Sequence, residues 1–599
     1  MGIRLSKKIR IGGASGFWGD ASLASTQLIS KGNINYLVSD YLAEITMSIM
    51  ARARAKDEKL GYATDFIQDL IVPNLSEIDR KGIKIISNAG GVNPLACAEI
   101  VENLISEAGL NLKVATILGD DLINQIEELS DQNYEEMYSN EKFPEKDNIL
   151  SVNAYLGAFP IASALHDGSD IIITGRSVDS AVTLGACIYE FGWSPEDVDQ
   201  LAGGSLAGHI LECGTQATGG NFTDWQDSID NLVDIGYPVA EVSEDGTFVC
   251  CKPEDTGGLI NKGTISEQML YEIGDPQAYI LPDVVCDFSE VEIEIVGKDQ
   301  VLVKKAKGYK APDSYKACLT YKEGFRGGAM LTYYGIEADK KADRFSQVVF
   351  ERARQRLRKN NIADFIETSV EVIGNESQYG EHRSINGSRE VVAKIAAKHE
   401  KALGINILLR EITGLGLSTP PGLSGFAGTR PRPSPVVRLF SFAIPKGEVP
   451  VKIVTGGEEK DFLDKQSKSL FNEEIQRPEE PIISHDKQRD MTSVPLVELA
   501  WGRSGDKGNK ANIGIIARSE EYYPYICRAL TEDFIKDRFS HFLEGKVERF
   551  LLPGSNSINF LLHDVLGGGG VASLRNDPQG KGYAQLILDA PIPIPEDLI

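Results

Sequence analysis

The sequence predicts an α/β fold whose N-terminal part is a doubly wound, mostly parallel sheet. Three observations support this: short apolar runs rich in β-branched residues, Gly or polar residues directly after each run, and helical patterns that follow. Continuous apolar runs are typical of parallel strands buried on both faces, and their alternation with helices indicates crossover connections. The segments that show this pattern are residues 10–20, 34–44, 83–94, 114–121 and 170–180.

The chain of 599 residues is too long for one compact core, and changes in composition divide it further. We predict an α/β domain with the substrate site at 1–235, a second α+β lobe at 236–475, a polar linker at 476–493 and a small ferredoxin-like α+β domain at 494–599. In the last domain, helix, strand, helix and strand follow an opening strand pair, which is typical of a ferredoxin-like sandwich.

Two segments allow a more local prediction. Residues 203–235 are rich in Gly, Thr, Gln and Asn, which favours a structured loop over a core helix. Residues 557–568, SINFLLHDVLGG, have a helical pattern of apolar residues.

Composition narrows the class of protein. Acidic residues outnumber basic ones by 87 to 62, and the formal charge of −25 argues against sequence-independent binding of nucleic acid. The eight cysteines form no CxxC pair, which favours a reducing cytoplasm. No run approaches the roughly 18 to 20 apolar residues of a membrane span. We therefore expect a cytoplasmic homo-oligomer that binds a small molecule and has no nucleic-acid or membrane partner.

Polar residues follow the five predicted strands where each strand ends. Because ligands of open α/β sheets bind outside the carboxyl ends of the strands, we expect these residues to meet in one crevice. They include Ser15, Asp20, Asp40, Glu44, Asn88, Asn93, Asp120, Arg176 and Asp179.

The Gly-rich loop at 12–20 follows the first strand, and its backbone N–H groups suit a carboxylate or phosphate. The loop lacks the GxGxxG pattern and the Lys of nucleotide-binding loops, and a tight strand-to-helix turn explains it equally well. Its candidate substrate contacts are Ser15, Gly16, Phe17 and Asp20.

The segment SNAGGVNP adds a second turn of this kind. Gly90 and Gly91 permit unusual φ angles and offer further N–H donors, and Asn88 is the preferred ligand contact. Asn93 is also a candidate, although its position before Pro94 matches a helix N-cap and favours a structural role.

Four charged residues at or shortly after strand ends are candidates for chemistry or binding. Asp40 and Glu44 lie one helical turn apart, so they form either an acid/base pair of carboxyl groups or a helix cap with its supporting residue. Arg176 either binds a substrate carboxylate or pairs with Asp179.

The segment GHILECGTQATGGN places a base, a carboxylate and a thiol close together. We favour His209 or Glu212 as the acid/base residue over Cys213 as a nucleophile, because a free Cys is more often a small buried apolar residue. Gln216 and Asn221 are candidate substrate contacts in the same segment.

Cofactor predictions are limited. No segment has the ligand spacing of a zinc site, so we assign no metal ligand, and Mg²⁺ bound by Asp or Glu stays open. Arg430, with Arg432 and Arg438, suits the phosphates of a CoA thioester, although a solvated charged loop explains this cluster almost as well.

Several of these motifs together resemble the acyclic terpene utilisation family over almost the whole chain. They are GGASGFWGD, YLVSDYLAEITM, SNAGGVNP, TGRSVDSA, GHILECGTQATGGNFTDW, SGDKGNKANIG and GGGGVASLR. The resemblance implies a part in citronellol and geraniol breakdown through branched acyl-CoA intermediates, with a ferredoxin-like module at the end of the chain. Asn509 and Lys510 depart from it, because another acidic residue is expected there.

We expect a catabolic hydro-lyase that adds or removes water across a double bond next to the carbonyl of a branched or carboxylated acid or its CoA thioester. Asp40, Glu44, His209 and Glu212 are its candidate acid/base residues, and the two Gly loops are its donors for the enolate oxygen. Two alternatives stay open. One is a hydrolase or acyl transferase with Ser15 or Cys213 as nucleophile, and the other is a non-catalytic subunit that binds a carboxylase-pathway enzyme through its C-terminal module.

Overall fold

The computed structural model describes residues 7–20, 22–425, 430–464, 475–483, 489–570 and 572–599. Its strands are β1 Lys8–Gly13, β2 Tyr36–Ser39, β3 Lys84–Ser87, β4 Val114–Leu118, β5 Ile149–Ala154, β6 Ile171–Thr174, β7 Val239–Ser243, β8 Phe248–Cys251, β9 Tyr279–Ile280, β10 Val285–Asp287, β11 Glu292–Gly297, β12 Gln300–Lys304, β13 Lys307–Tyr309, β14 Ser314–Tyr334, β15 Glu367–Ile373, β16 Glu390–His399, β17 Leu423–Ser424, β18 Ser434–Pro445, β19 Lys452–Thr455, β20 Glu458–Asp461, β21 Met491–Pro495, β22 Ala500–Lys507, β23 Lys510–Ala517, β24 Val547–Leu552, β25 Ser557–Leu562 and β26 Pro591–Pro595. Its α-helices are α1 Ala24–Lys31, α2 Glu44–Arg54, α3 Val72–Lys81, α4 Pro94–Glu107, α5 Ile126–Asp131, α6 Phe159–His166, α7 Ala181–Phe191, α8 Val198–Glu212, α9 Lys262–Leu270, α10 Ala338–Lys359, α11 Ala402–Gly414, α12 Leu496–Leu499, α13 Tyr523–Ala529 and α14 Glu532–Arg538.

The predicted parallel sheet is present at the centre of the N-terminal region. Strands β1, β2, β3, β6 and β4 pair in this order, and every pairing among them is parallel. Alternate residues of β2 enter different cores, with Tyr36 and Val38 in one and Leu37 in the other. Helices α4 and α7 contribute to opposite cores, so the sheet is doubly wound as predicted.

The same sheet continues beyond these five strands. Strands β7, β8, β12 and β11 extend it in antiparallel fashion from β1, and β19 and β20 extend it from β4. Hydrogen bonding within one sheet therefore crosses residue 235, where the sequence predicts a domain boundary. The predicted linker at 476–493 lies partly outside the described residues, since 484–488 are not among them.

A second sheet is built around the long strand β14. Its first half pairs with β5 and β18, and its second half pairs with β16 and β17. Helices α10 and α11 pack together against this sheet around Phe345, Val349 and Leu408. The first half of β14 thereby reaches back to the N-terminal domain.

The C-terminal domain has a four-stranded antiparallel sheet in the order β22-β23-β25-β24, with α13 and α14 beside it. The predicted helix at 557–568 is wrong, because Ser557–Leu562 forms the central strand β25 and all six of its residues are buried. A short apolar run that is buried on both sides carries no periodicity that separates a strand from a helix.

The prediction of a loop over 203–235 is wrong at its beginning, where α8 forms a buried helix. Its glycines lie where other elements approach the backbone closely. A Cβ atom at Gly203 would lie 2.2 Å from the carbonyl oxygen of Gly246, and one at Gly208 would lie 2.8 Å from the Ser180 backbone. Gly therefore serves close packing here, and this gain offsets its low helix propensity.

Candidate active site

A cavity of about 870 Å³ opens where the N-terminal sheet, the second sheet and the C-terminal domain meet. Its lining includes eleven of the predicted site residues: Gly16, Phe17, Asp20, Asp40, Glu44, Arg176, Asp179, Glu212, Cys213, Gln216 and Asn221. The lining does not include Ser15, Asn88, Gly90, Gly91, Asn93, Asp120, His209 or Arg430. The carboxyl ends of β2 and β6 supply part of it, as expected for an open α/β sheet.

Asp40 follows β2 at the wall of the cavity and is only 6% exposed. The amide of Asn88 donates to Asp40 Oδ1, and the backbone N–H of Leu42 donates to the same oxygen at 3.2 Å. Burial, together with the charge of Asp179, raises the pKa of Asp40 well above the ordinary aspartate value, although Arg176 and Asn88 oppose this. Asp40 is therefore a carboxyl group that holds a proton more readily than usual.

Glu44, the first residue of α2, has the opposite character. It accepts a hydrogen bond from the Tyr155 hydroxyl at 2.6 Å and lies 3.6 Å from Lys316 Nζ. Burial acts to raise the pKa of Glu44, but Lys316, Arg176 and Tyr155 together lower it below the ordinary value. Glu44 is therefore ionised at neutral pH. Lys316 belongs to strand β14 of the second sheet, and Tyr155 directly follows strand β5 of that sheet.

Arg176 lies almost fully buried among the carboxyl groups of Asp40, Glu44 and Asp179. Its Nη1 donates to the Leu42 carbonyl at 2.8 Å and to Asp179 Oδ1 at 3.0 Å, and its guanidinium carbon lies 4.2 Å from the centre of the Tyr155 ring. Its backbone N–H donates to Asp120 Oδ2 at 2.8 Å. Arg176 thus pairs with Asp179 and also lines the cavity, so the two sequence hypotheses for it are compatible.

His209 and Glu212 form a buried pair at the end of α8. His209 Nδ1 lies 2.8 Å from Glu212 Oε1, and His209 Nε2 has no hydrogen-bond partner among the described residues. Burial acts to lower the pKa of His209, but Glu212 raises it above the ordinary value. Burial also raises the pKa of Glu212, so this pair retains a proton, and Glu212 is the member that faces the cavity.

Cys213 lines the cavity next to this pair. Burial, and then the charges of Glu212 and Glu272, raise the pKa of the Cys213 thiol well above its ordinary value. A thiol in this environment is not ionised at neutral pH and is a weak nucleophile.

The two Gly loops do not present a row of free donors. In the first loop the N–H of Gly16 binds Asp20 Oδ2 at 3.0 Å, and the N–H of Gly19 binds Asp65 Oδ2 at 2.9 Å. In the second loop the N–H groups of Gly90 and Gly91 bind the carbonyls of Thr174 and Asn88. These N–H groups were expected to stabilise an enolate, but they bind acceptors within the protein.

The remaining predicted residues support the site from outside or lie away from it. Asn88 is fully buried behind Asp40, and the Asn93 amide donates to the carbonyls of Glu58 and Leu60 at 2.8 Å without capping α4 through its side chain. The Ser15 hydroxyl donates to the Phe17 carbonyl at 3.1 Å. Arg430 is exposed.

The C-terminal domain contributes the part of the lining that sequence analysis did not identify as a site. Lys581 donates to the Tyr271 hydroxyl at 2.5 Å, to Glu272, and to Asp506 Oδ1 at 3.0 Å. Burial raises the pKa of Asp506 to about 6, although Lys581 opposes this. Lys507 and Lys510 face the same cavity from the two sides of one hairpin.

Asn509, at the turn of that hairpin, explains one departure from the family pattern. Its Oδ1 accepts from the N–H groups of Gly568 and Gly569 at 2.8 and 3.1 Å, and its Nδ2 donates to Asp564 Oδ1 at 3.1 Å. The amide thus joins the hairpin to the loop at 564–569, and an amide supplies both the acceptor and the donor that this contact needs.

Carboxyl groups outnumber Lys and Arg side chains in the lining. Within the ranges that the structure describes, no three His, Cys, Asp or Glu residues are grouped so that they could hold a metal ion. No helix among the described residues is both long enough and apolar enough to cross a membrane.

The fold and the cavity define an α/β protein with a composite, acidic cavity between its N-terminal and C-terminal domains. The family model of the acyclic terpene utilisation family protein AtuA matches residues 9–455, and that of the AtuA ferredoxin-like domain matches residues 494–593. The chain therefore belongs to the acyclic terpene utilisation family. No curated protein and no solved structure matches it.

Proposed function

We propose that the cavity is the active site of an acid/base enzyme that adds water to, or removes it from, the double bond next to a carbonyl in a branched acid or its CoA thioester. The observation that supports this best is Asp40, a buried carboxyl group with a raised pKa that lines a large cavity. Perturbed carboxyl groups in clefts are typical of acid/base catalysts.

Two carboxyl groups supply the proton transfers. In hydration, the Glu212 carboxylate, with the retained proton of the pair on His209, takes a proton from water, and the water oxygen bonds to the β-carbon. The electron pair of the double bond moves towards the carbonyl oxygen, and Asp40 then gives its proton to the α-carbon. A water molecule is thus added, and the reverse sequence removes it. The protein returns to its starting state when the proton passes from Glu212 back to Asp40 through solvent.

Arg176 supports the charge that develops in this sequence. The guanidinium lies on the ring of Tyr155 and next to Asp179, which fixes its position beside Asp40. A buried, always protonated group stabilises an enolate oxygen through its field without moving during the reaction.

Apolar side chains at the cavity suit a branched carbon chain. Phe17 is 57% exposed, and Ile45 and Ile49, one turn apart on α2, are 43% and 41% exposed. All three belong to the lining. Large apolar side chains that are left exposed in this way favour the binding of an apolar part of a ligand.

The nucleophile alternative has less support. The Cys213 thiol is held in its neutral form. Ser15 lies outside the lining, and its hydroxyl donates to the backbone carbonyl of Phe17. Catalytic Ser and Cys residues need an adjacent base that activates them.

The homo-oligomer that we expect is a separate prediction, and light scattering after size-exclusion chromatography tests it.

The test is a direct assay of water addition. The full chain is incubated with branched 2-enoic acids and their CoA thioesters, with and without Mg²⁺, and products are identified by a mass gain of one water. We expect Asp40→Asn to lower the rate at least 100-fold, in the range found for general acid catalysis. Asp57→Asn, at an exposed position outside the lining, should leave it unchanged.

Two results would contradict the proposal. Full activity in Asp40→Asn would remove Asp40 from the mechanism. Absence of product with every substrate, together with a protein partner that co-purifies stoichiometrically, would favour the non-catalytic subunit instead.

A further inference from the structure

Lys507 and Lys510 line the cavity without a counter-ion in contact among the described residues. Most of the lining cations are paired: Arg176 with Asp179, Lys316 with Glu44, Arg438 with Glu141 and Glu323, and Lys581 with Glu272 and Asp506. Lys507 makes no hydrogen bond or ion pair with any described residue, and its Nζ lies 5.8 Å from the centre of the Tyr279 ring. Its three N–H donors are therefore available to a ligand.

The hairpin that carries Lys507 is held firmly in place. Lys507 pairs with Lys510 across the β22–β23 turn, where Gly508 has a φ of 66°. The Asn512 amide of β23 donates to the Leu270 carbonyl at 2.6 Å, and its Oδ1 accepts from the Glu272 N–H at 3.0 Å. The ammonium group is thus positioned by the fold of two domains, which a binding group requires.

The charges around Lys507 fix its protonation state. Burial acts to lower the pKa of Lys507, but Tyr279, Glu272, Asp179 and Glu212 raise it far above the ordinary lysine value. Lys507 is therefore a permanent ammonium group at neutral pH. It is suited to binding an anion and unsuited to acting as a base or an amine nucleophile.

Lys510, on the other side of the hairpin, is a weaker candidate for this role. Its Nζ lies 4.3 Å from the centre of the Tyr138 ring, and burial lowers the pKa of Lys510. Glu212, the base of the proposed mechanism, acts on Lys507, since it is among the groups that raise the pKa of Lys507.

We infer that Lys507 is the residue that binds the carboxylate of the substrate, so that the ferredoxin-like domain supplies part of the substrate site. This inference rests on the proposed function, because it names the residue that holds the substrate next to the acid/base residues. It also names the ligand class, which is a branched carboxylate that presents its negatively charged oxygens to the C-terminal domain.

The test measures binding and does not depend on turnover. Isothermal titration of the full chain with 3-methylbutanoate is compared with titration by 3-methylbutanamide, which has the same carbon skeleton but no charge. We expect the wild type to bind the carboxylate more tightly than the amide, and Lys507→Met to weaken carboxylate binding at least 10-fold. Lys536→Met removes a lysine of the same domain that is exposed and lies outside the lining, and it should bind like the wild type.

Melting curves and circular dichroism establish that each variant is folded, and Lys507→Gln replaces Lys507→Met if the latter does not fold. Carboxylate binding that is equal in the wild type and in the Lys507 variant would overturn the inference while leaving the role of Asp40 intact. Failure of the wild type to prefer the carboxylate over the amide would overturn the ligand class. Binding that is lost in the variant, with no water addition by the wild type, would support Lys507 and contradict the lyase.

Discussion

Asp40 shows how a single buried residue acquires its chemistry from neighbours that are distant in the sequence. Its place after a strand could be predicted, because the apolar run 34–39 ends there. The role of Asn88 could not be predicted, because the sequence does not show that its amide donates to Asp40 and does not line the cavity. Tyr155 follows strand β5, so the same strand-end rule could have identified it.

Replacing Asn88 should change the pH dependence of the reaction. The Asn88 amide donates to the Asp40 carboxylate and lowers the pKa of Asp40. Asn88→Ala should therefore raise that pKa further and move the Asp40 limb of the kcat/KM profile to higher pH, by roughly one unit. Asn93→Ala, which removes an amide that supports the loop at 58–60, should leave the profile in place.

Asp120 should make stability depend on pH. Burial raises the pKa of Asp120 from 3.8 to about 7, so the folded protein binds more protons than the unfolded chain between these values. Its contribution to the free energy of unfolding is fully present below about pH 4 and is lost as the pH rises to about 7. Urea titrations should show the wild type losing roughly 1–4 kcal/mol more than Asp120→Asn across this range. Parallel curves for the two proteins would contradict this.

Helices and strands differ in how well the sequence defines them. The five parallel strands could be predicted, because residues buried on both faces produce continuous apolar runs. Helix α8 could not, because its glycines are low in helix propensity, and only their neighbours in space show why they are needed. The strand Ser557–Leu562 has no alternation of apolar and polar residues, because it is an inner strand whose six residues are all buried.

A methyl group at Gly208 should destabilise the protein. It would lie 2.8 Å from the Cα, Cβ and carbonyl oxygen of Ser180, and a backbone contact of this kind cannot relax cheaply. We expect Gly208→Ala to lower the free energy of unfolding by about 1–3 kcal/mol. Gly414→Ala is the matched control at the end of α11, where an added Cβ would meet no atom within 4 Å apart from its chain neighbours and the backbone of its own helix, and it should be neutral or slightly stabilising. Equal effects of the two changes in urea unfolding would contradict the packing argument.

At the scale of the whole molecule, the cavity depends on contacts between parts of the chain that lie far apart in sequence. Asp224 binds both Nη atoms of Arg518 at 2.6 and 2.7 Å and the indole N–H of Trp501 at 2.7 Å. These partners lie nearly 300 residues apart in the chain, so no local sequence pattern indicates the contact. The sequence therefore predicted the C-terminal domain but not the Lys and Asp side chains that it adds to the cavity.

Removing the Asp224 carboxylate should loosen this arrangement. Asp224→Asn should weaken docking of the C-terminal domain, lower the melting temperature and increase cleavage between the domains in limited proteolysis. Asp589→Asn removes a carboxylate that pairs with Arg538 inside the C-terminal domain at 3.0 Å, so it should leave docking and turnover unchanged. Identical proteolysis of the two variants would show that Asp224 does not hold the domain.

The most direct test of an acid/base site is hydrogen exchange at the substrate α-carbon. Branched saturated acids and 3-hydroxy acids, and the CoA thioesters of both, are incubated with the protein in D₂O, and deuterium at the α-carbon is measured by mass spectrometry. We expect deuterium incorporation by the wild type and by Asp57→Asn, and at least 100-fold slower incorporation by Asp40→Asn. Equal incorporation by the wild type and Asp40→Asn, or none with any compound, would contradict it.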